Sequence, residues 1–180
     1  MRISMAVVVA AIAMIGGIVD SAAAADVTIK GVHLCCGRCV KDVADALDGI
    51  EGVSGVSADR NSKVVNFNVK DDKAAKAGVQ ALADYGFGGN AVHEDKPLAF
   101  PSPGIKKNAK GNEVTFEGVH LCCGGCVVGA KKAVQDVEGV AQIAIDREEK
   151  TVKLTGSKIS FAKAFAALKN GGYFGTLAKE

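Results

Sequence analysis

The sequence predicts an α+β protein in which one βαββαβ unit is used twice, each an antiparallel sheet with two helices on one face. Three observations carry this. The chain matches itself without gaps at an offset of 87 residues, the hydrophobic period changes in the same order inside each copy, and all three prolines lie between the copies.

The match lays Val27-Thr28-Ile29-Lys30-Gly31-Val32-His33-Leu34-Cys35-Cys36-Gly37 over Val114-Thr115-Phe116-Glu117-Gly118-Val119-His120-Leu121-Cys122-Cys123-Gly124. It runs on through Glu51-Gly52-Val53 over Glu138-Gly139-Val140 and Asp59-Arg60 over Asp146-Arg147. Towards the end of each copy the offset becomes 86, so Leu82 falls on Leu168 and Gly86-Phe87 on Gly172-Tyr173. Each unit is about 65 residues, a size at which a domain can fold alone. The expected layout is a leader over 1–25, a first domain over 26–93, a Pro-containing, extended linker over 94–112 and a second domain over 113–180.

Within each unit a strand comes first, with Ile29, Val32 and Leu34 (Phe116, Val119 and Leu121) inward and a bulge expected at Gly31 and Gly118. A helix from about Cys39 to Gly49 follows, with Val40, Val43, Leu47 and Ile50 on one stripe, matched by Val127, Ala130, Val134 and Val137. Val53, Val56 and Ala58 then alternate, and Val65 and Phe67 return after a turn at Arg60-Asn61, which reads as a hairpin. Asp71-Asp72 and Ser160 are caps for second helices carrying Ala75, Val79, Leu82 and Phe161, Phe165, Leu168. A short strand near Gly88–His93 or Phe174–Lys179 closes each unit. This order is the ferredoxin-like arrangement.

The start of the chain is an address. Arg2 precedes an apolar run from Met5 to Ile18, and Ala22-Ala23-Ala24-Ala25 offers small residues for cleavage. The run is shorter than the roughly 20 residues a membrane span needs. Export to a periplasmic or secreted location follows as the expectation, with no membrane attachment after cleavage. An oxidising compartment then bears on the thiols. A net charge of +2 offers no field for nucleic acid.

The six cysteines fall in two groups, Leu34-Cys35-Cys36-Gly37-Arg38-Cys39 and Leu121-Cys122-Cys123-Gly124-Gly125-Cys126, each between the first strand and first helix. Soft thiolates select Cu(I), Zn(II), Hg(II) and similar ions. Cys39 and Cys126 open a helix, where the dipole favours thiolate, and Arg38 adds positive charge in the first loop only. These motifs, with Gly86-Phe87 and Gly172-Tyr173 after the second helices, resemble the heavy-metal-associated (HMA) domain of copper chaperones, metal-pumping ATPases, mercuric-ion-binding proteins and plant metallochaperones. That family has Met-x-Cys-x-x-Cys in this loop; Leu34 and Leu121 replace an inward-packing Met, a nearly isosteric swap.

The resemblance implies a non-enzymatic metal-binding protein with Cys36 and Cys39, and Cys123 and Cys126, as ligands, one site per domain. Cu(I) stands ahead of Zn(II) and Hg(II), and a metal transporter or another metal-binding protein is the implied partner. Two readings stay open for Cys35 and Cys122: a third thiolate giving a trigonal site, or a spare thiol, free or disulfide-bonded. His33 and His120 read as surface residues on the outward side of the strand, and His93 as linker. Phe87 and Tyr173 either shield the metal loop or belong to the core. Two other functions compete: a thiol-disulfide oxidoreductase, for which both units lack the Pro of a thioredoxin-like groove, and an interaction module with disulfide-bonded cysteines.

Overall fold

The computed structural model describes residues 25–179, so the expected leader lies outside the described residues. The first unit runs β1 (Ala25–Lys30), α1 (Gly37–Leu47), β2 (Val53–Asp59), β3 (Val64–Val69), α2 (Asp72–Asp84), β4 (Asn90–His93) and β5 (Lys96–Leu98). The second runs β6 (Lys110–Glu117), α3 (Gly124–Val134), β7 (Val140–Asp146), β8 (Thr151–Ser160), α4 (Phe161–Asn170) and β9 (Thr176–Leu177). The sheets are ordered β2-β3-β1-β4-β5 and β7-β8-β6-β9, with antiparallel pairing throughout. This is the ferredoxin-like βαββαβ fold, twice.

Alternation on the central strands puts Val27, Ile29, Val65 and Phe67, and Val114, Phe116, Val152 and Leu154, into the core under the helices. Asp71 caps α2 by accepting from the Ala74 N–H at 2.7 Å, and Ser160 caps α4 through the Lys163 N–H. The buried face of α1 is Cys39, Val43, Ala46 and Leu47, and that of α3 is Cys126, Ala130 and Val134. The last cysteine of each motif thus begins an apolar stripe, and its thiol is drawn inward. Leu34 and Leu121 are buried, as an inward-packing position requires.

Gly31 and Gly118 mark strand ends and not bulges. Both take positive φ, and the chain leaves the sheet there to form the cysteine loops. The irregular registers lie elsewhere, between Ser54 and Ser57, Gly111 and Glu113, and Val140 and Gln142.

The stretch read as a linker is more structured than its prolines suggest. Glu94 and Asp95 both take left-handed φ, closing a tight hairpin between β4 and β5. Pro97 is tolerated because β5 is the sheet edge. His93 belongs to β4, is buried, and places Nε2 at 3.2 Å from Asp72 Oδ1. Further on, the Leu177 N–H donates to the Pro103 carbonyl at 2.8 Å, and Phe100 stacks on Phe174. The segment thus begins as an edge strand of the first sheet and continues docked against the second domain.

Candidate metal centre between the domains

The two domains face each other through their cysteine loops and the Gly-aromatic turns after α2 and α4. The contacts come in pseudo-twofold pairs. The His33 N–H donates to the Gly172 carbonyl at 3.2 Å and the His120 N–H to the Gly86 carbonyl at 3.3 Å. Gly88 N–H donates to Gly172 O at 3.0 Å, Phe174 N–H to Gly86 O at 2.8 Å, and Phe87 and Tyr173 form an antiparallel bridge. Glycine is required at the turns. A Cβ on Gly86 would lie 2.2 Å from the His120 nitrogen, and one on Gly172 2.2 Å from the His33 nitrogen, both at positive φ.

This docking fuses the two loops. Cys35 Sγ lies 3.3 Å from Cys123 Sγ and 3.5 Å from Cys126 Sγ; Cys122 Sγ lies 3.7 Å from Cys36 Sγ and 3.6 Å from Cys39 Sγ. Within the loops the separations are 3.7 Å for Cys35–Cys39, 3.8 Å for Cys36–Cys39, 3.6 Å for Cys122–Cys126 and 3.8 Å for Cys123–Cys126. All six cysteines are free thiols. The six thiols, read from the sequence as two sites, thus converge in one cluster, because the interface glycines let the loops meet. Cys35 and Cys122, whose direction was open, make the cross-domain contacts.

Four sulfurs around one tetrahedral ion with metal–sulfur bonds near 2.3 Å sit about 3.8 Å apart. The spacing here is that of a thiolate cage rather than of disulfides. Cys39 and Cys126 are fully buried; the other four are half-buried and reach the rim.

The thiols do not ionise alike. The nearby Cys39 and burial push Cys126 up, while Cys39 is driven down to about 2, first by Cys126 and then by other neighbours that stabilise its thiolate. Burial raises Cys35 to about 12 and raises Cys122 as well. Cys123 is lowered to about 7, first by the Cys126 backbone N–H at the start of α3. Arg38, expected to favour thiolate in the first loop, instead pairs with Asp42 at 3.6 Å with its side chain 73% exposed.

The histidines are not surface residues. His120 is only 7% exposed and stacks on Phe87 with ring centroids 4.1 Å apart; His33, half-buried, stacks on Tyr173 at 4.5 Å. Tyr173 Oη donates to the Cys126 carbonyl at 2.8 Å. The aromatics after the second helices thus do both things the sequence left open: they wall the cysteine cluster and are buried in the core. Burial lowers the His33 pKa, keeping the ring in its neutral, metal-ligating form. The ligand atoms of Cys39, His120, Cys122 and Cys126 lie within 4.8 Å of one another, as do those of His33, Cys35 and Cys126 and those of Cys35, Cys36 and Cys123.

Fold and site together define a class: paired ferredoxin-like domains that clasp a thiol-rich centre suited to soft metal ions. No family model and no curated protein matches the chain. Solved structures do. The chain is similar to oxidised MerP from Ralstonia metallidurans CH34, with 27% identity over 39% of this chain and 100% of that one, at a TM-score of 0.36. It is similar to the apo HMA domain of the copper chaperone for superoxide dismutase (21% identity, 46% of this chain, 86% of that one, TM-score 0.35). The N-terminal soluble domains of Bacillus subtilis CopA share 16% identity over 85% of this chain and 92% of theirs, at a TM-score of 0.32. Likenesses with TM-scores this low add no weight to a functional reading, which rests on the sulfur geometry.

Proposed function

We propose that this protein is an exported, non-enzymatic carrier of a soft metal ion, working in the periplasm or outside the cell. It holds the ion on thiolates drawn from Cys35, Cys36, Cys39, Cys122, Cys123 and Cys126, with Cu(I) ahead of Zn(II) and Hg(II), and yields it to a metal transporter or another metal-binding protein. The observation that carries this reading is the convergence of six free thiols at 3.3–3.8 Å. Unpaired, such a cluster has no structural purpose in an oxidising compartment; a bound soft ion would use it and protect it. Access is supported by a cleft of about 340 Å³ whose lining includes Arg38, Asp42, Tyr85, His120 and Cys122, through which a partner's thiols can reach the rim.

One observation favours a second reading. Cys35 and Cys123 are close enough for a cross-domain disulfide after a small movement, which would make the centre a redox-sensitive clasp. Metal analysis and a free-thiol count on protein purified anaerobically decide between them. About stoichiometric soft metal with six free thiols after its removal supports the carrier. Metal-free protein with a Cys35–Cys123 bridge supports the clasp and rejects the carrier.

A further inference from the structure

We propose that the centre is one binuclear metal site spanning both domains, in which His33 and His120 each supply a nitrogen ligand and the buried Cys39 and Cys126 are shared by both ions. This rests on the soft-metal reading above and specifies its ligands and ion class. The starting point is a pair of unexplained atoms. The Nε2 atoms of His33 and His120 are buried and have no hydrogen-bond partner. A buried polar atom left in that state costs about 1–3 kcal/mol, so two related ones at one site need an explanation. The nearest carboxylate to His120 Nε2, from Asp42, is 3.9 Å away, too far for a hydrogen bond. Stacking on Phe87 and Tyr173 meanwhile fixes both ring planes against the thiols.

The donors divide by the pseudo-twofold. One set is His120, Cys122, Cys126 and Cys39. Its mate is the three-donor set His33, Cys35 and Cys126; Cys39, 3.7 Å from Cys35, is assigned as the fourth ligand on the pseudo-twofold alone. The first is a Cys3His set of the kind tetrahedral Zn(II) takes; with Cys39 counted in, the second is too, and Cys39 and Cys126 are then common to both. A thiolate sulfur has lone pairs enough to bridge. Two divalent ions against the four thiolates of Cys35, Cys39, Cys122 and Cys126 leave the enclosed centre without net charge, whereas two Cu(I) ions would leave it at minus two. That moves the preferred cargo from Cu(I) to a divalent ion. Cys36 and Cys123 remain on the rim, free to receive an incoming ion or a partner's attack.

The test uses Co(II), a spectroscopic substitute for Zn(II), on the reduced chain under argon. Thiolate-to-cobalt absorption is expected to saturate at two equivalents. The high-spin EPR signal should grow with the first and fall with the second, because shared sulfurs couple the spins. X-ray absorption on the zinc form should give about three sulfurs and one nitrogen per ion, with a metal–metal vector. His33→Phe with His120→Phe keeps the stacked rings but removes the nitrogens; the nitrogen scattering should vanish and affinity fall at least tenfold, with the far-ultraviolet circular dichroism unchanged. An EPR signal that doubles in proportion to cobalt, with no metal–metal vector, overturns the shared centre but leaves the carrier reading standing. Unchanged ligand counts and affinity in the Phe variant overturn the nitrogen ligands. Tight binding of Cu(I) with no retention of cobalt or zinc overturns the divalent site, and failure to bind any of the three overturns the carrier reading itself.

Discussion

The two halves of the centre carry the same motif and surround it differently. Around the second loop, Tyr173 donates its hydroxyl to the Cys126 carbonyl, and Gly129 leaves room: a Cβ there would meet the Tyr173 hydroxyl at 2.3 Å and His33 at 2.5 Å. Around the first loop the corresponding residues are Phe87, which has no hydroxyl, and Asp42, which faces His120 and pairs with Arg38. One half is braced by a buried neutral hydrogen bond, the other by a partly exposed charge pair. The pseudo-twofold therefore applies to backbone and sulfur, where the shared docking geometry constrains it. Polar chemistry has diverged where solvent access differs.

The comparison breaks first at the glycines on which both halves depend. Gly86→Ala or Gly172→Ala sets a methyl against backbone of the opposite domain at positive φ, where no side chain can yield. Overpacking and conformational strain together give an expected loss of about 2–4 kcal/mol of docking free energy. Small-angle scattering should show the domains separating, and cysteines 35 and 122 should lose their cross-domain contacts. Each domain keeps its own core stripes and should stay folded. Unchanged scattering for both variants would show that the interface does not depend on this approach.

A smaller effect sharpens the difference between the halves. Tyr173→Phe gives the second half the aromatic of the first and leaves the Cys126 carbonyl without its 2.8 Å donor. An unpaired buried acceptor predicts a loss of about 1–2 kcal/mol in urea unfolding. Phe87→Leu removes a stacked ring but no hydrogen bond, so the two variants separate polar bracing from packing. Equal stability of Tyr173→Phe and the parent would mean that water or a rotated carbonyl satisfies the group.

The fold was legible because each element has its own period and punctuation. Val27, Ile29, Val65 and Phe67 alternate, Ala75, Val79 and Leu82 recur at helical spacing, and Asp71 and Ser160 cap as their side chains dictate. The thiols were legible as candidate ligands through type and spacing. Their union was not, since a repeat describes one unit and the centre is made by the contact between two. His33 and His120 misled for the same reason: both lie in the loops beyond the ends of β1 and β6, and what an isolated unit would expose there the interface covers. The β4–β5 hairpin escaped because its turn is Glu94-Asp95, without the Asn-Gly or Asp-Gly signal that usually announces left-handed pairs, and Pro97 argued against a strand.

The smallest expected effect concerns the charge that distinguishes the first loop. Arg38 looked able to activate its thiols, yet its exposed guanidinium is held by Asp42, and the neighbouring exposed Lys41 is held by Asp45. An exposed pair of this kind contributes a few tenths of a kcal/mol and is screened by salt. Thiol reactivity should instead follow the local environment of each sulfur. In the reduced, metal-free chain at pH 7.5, Cys123, lowered to about 7, is largely thiolate, whereas Cys35, raised to about 12, is almost wholly protonated. Alkylation followed by peptide mass spectrometry should label Cys123 before Cys35, with the Cys123 rate levelling off above pH 8. Arg38→Gly should leave that order intact and change either rate less than twofold, at low salt and at high. A severalfold slowing of the first loop in Arg38→Gly, abolished by salt, would restore the guanidinium as the source of its reactivity and make charge, rather than the start of α3 and burial, the control on these thiols.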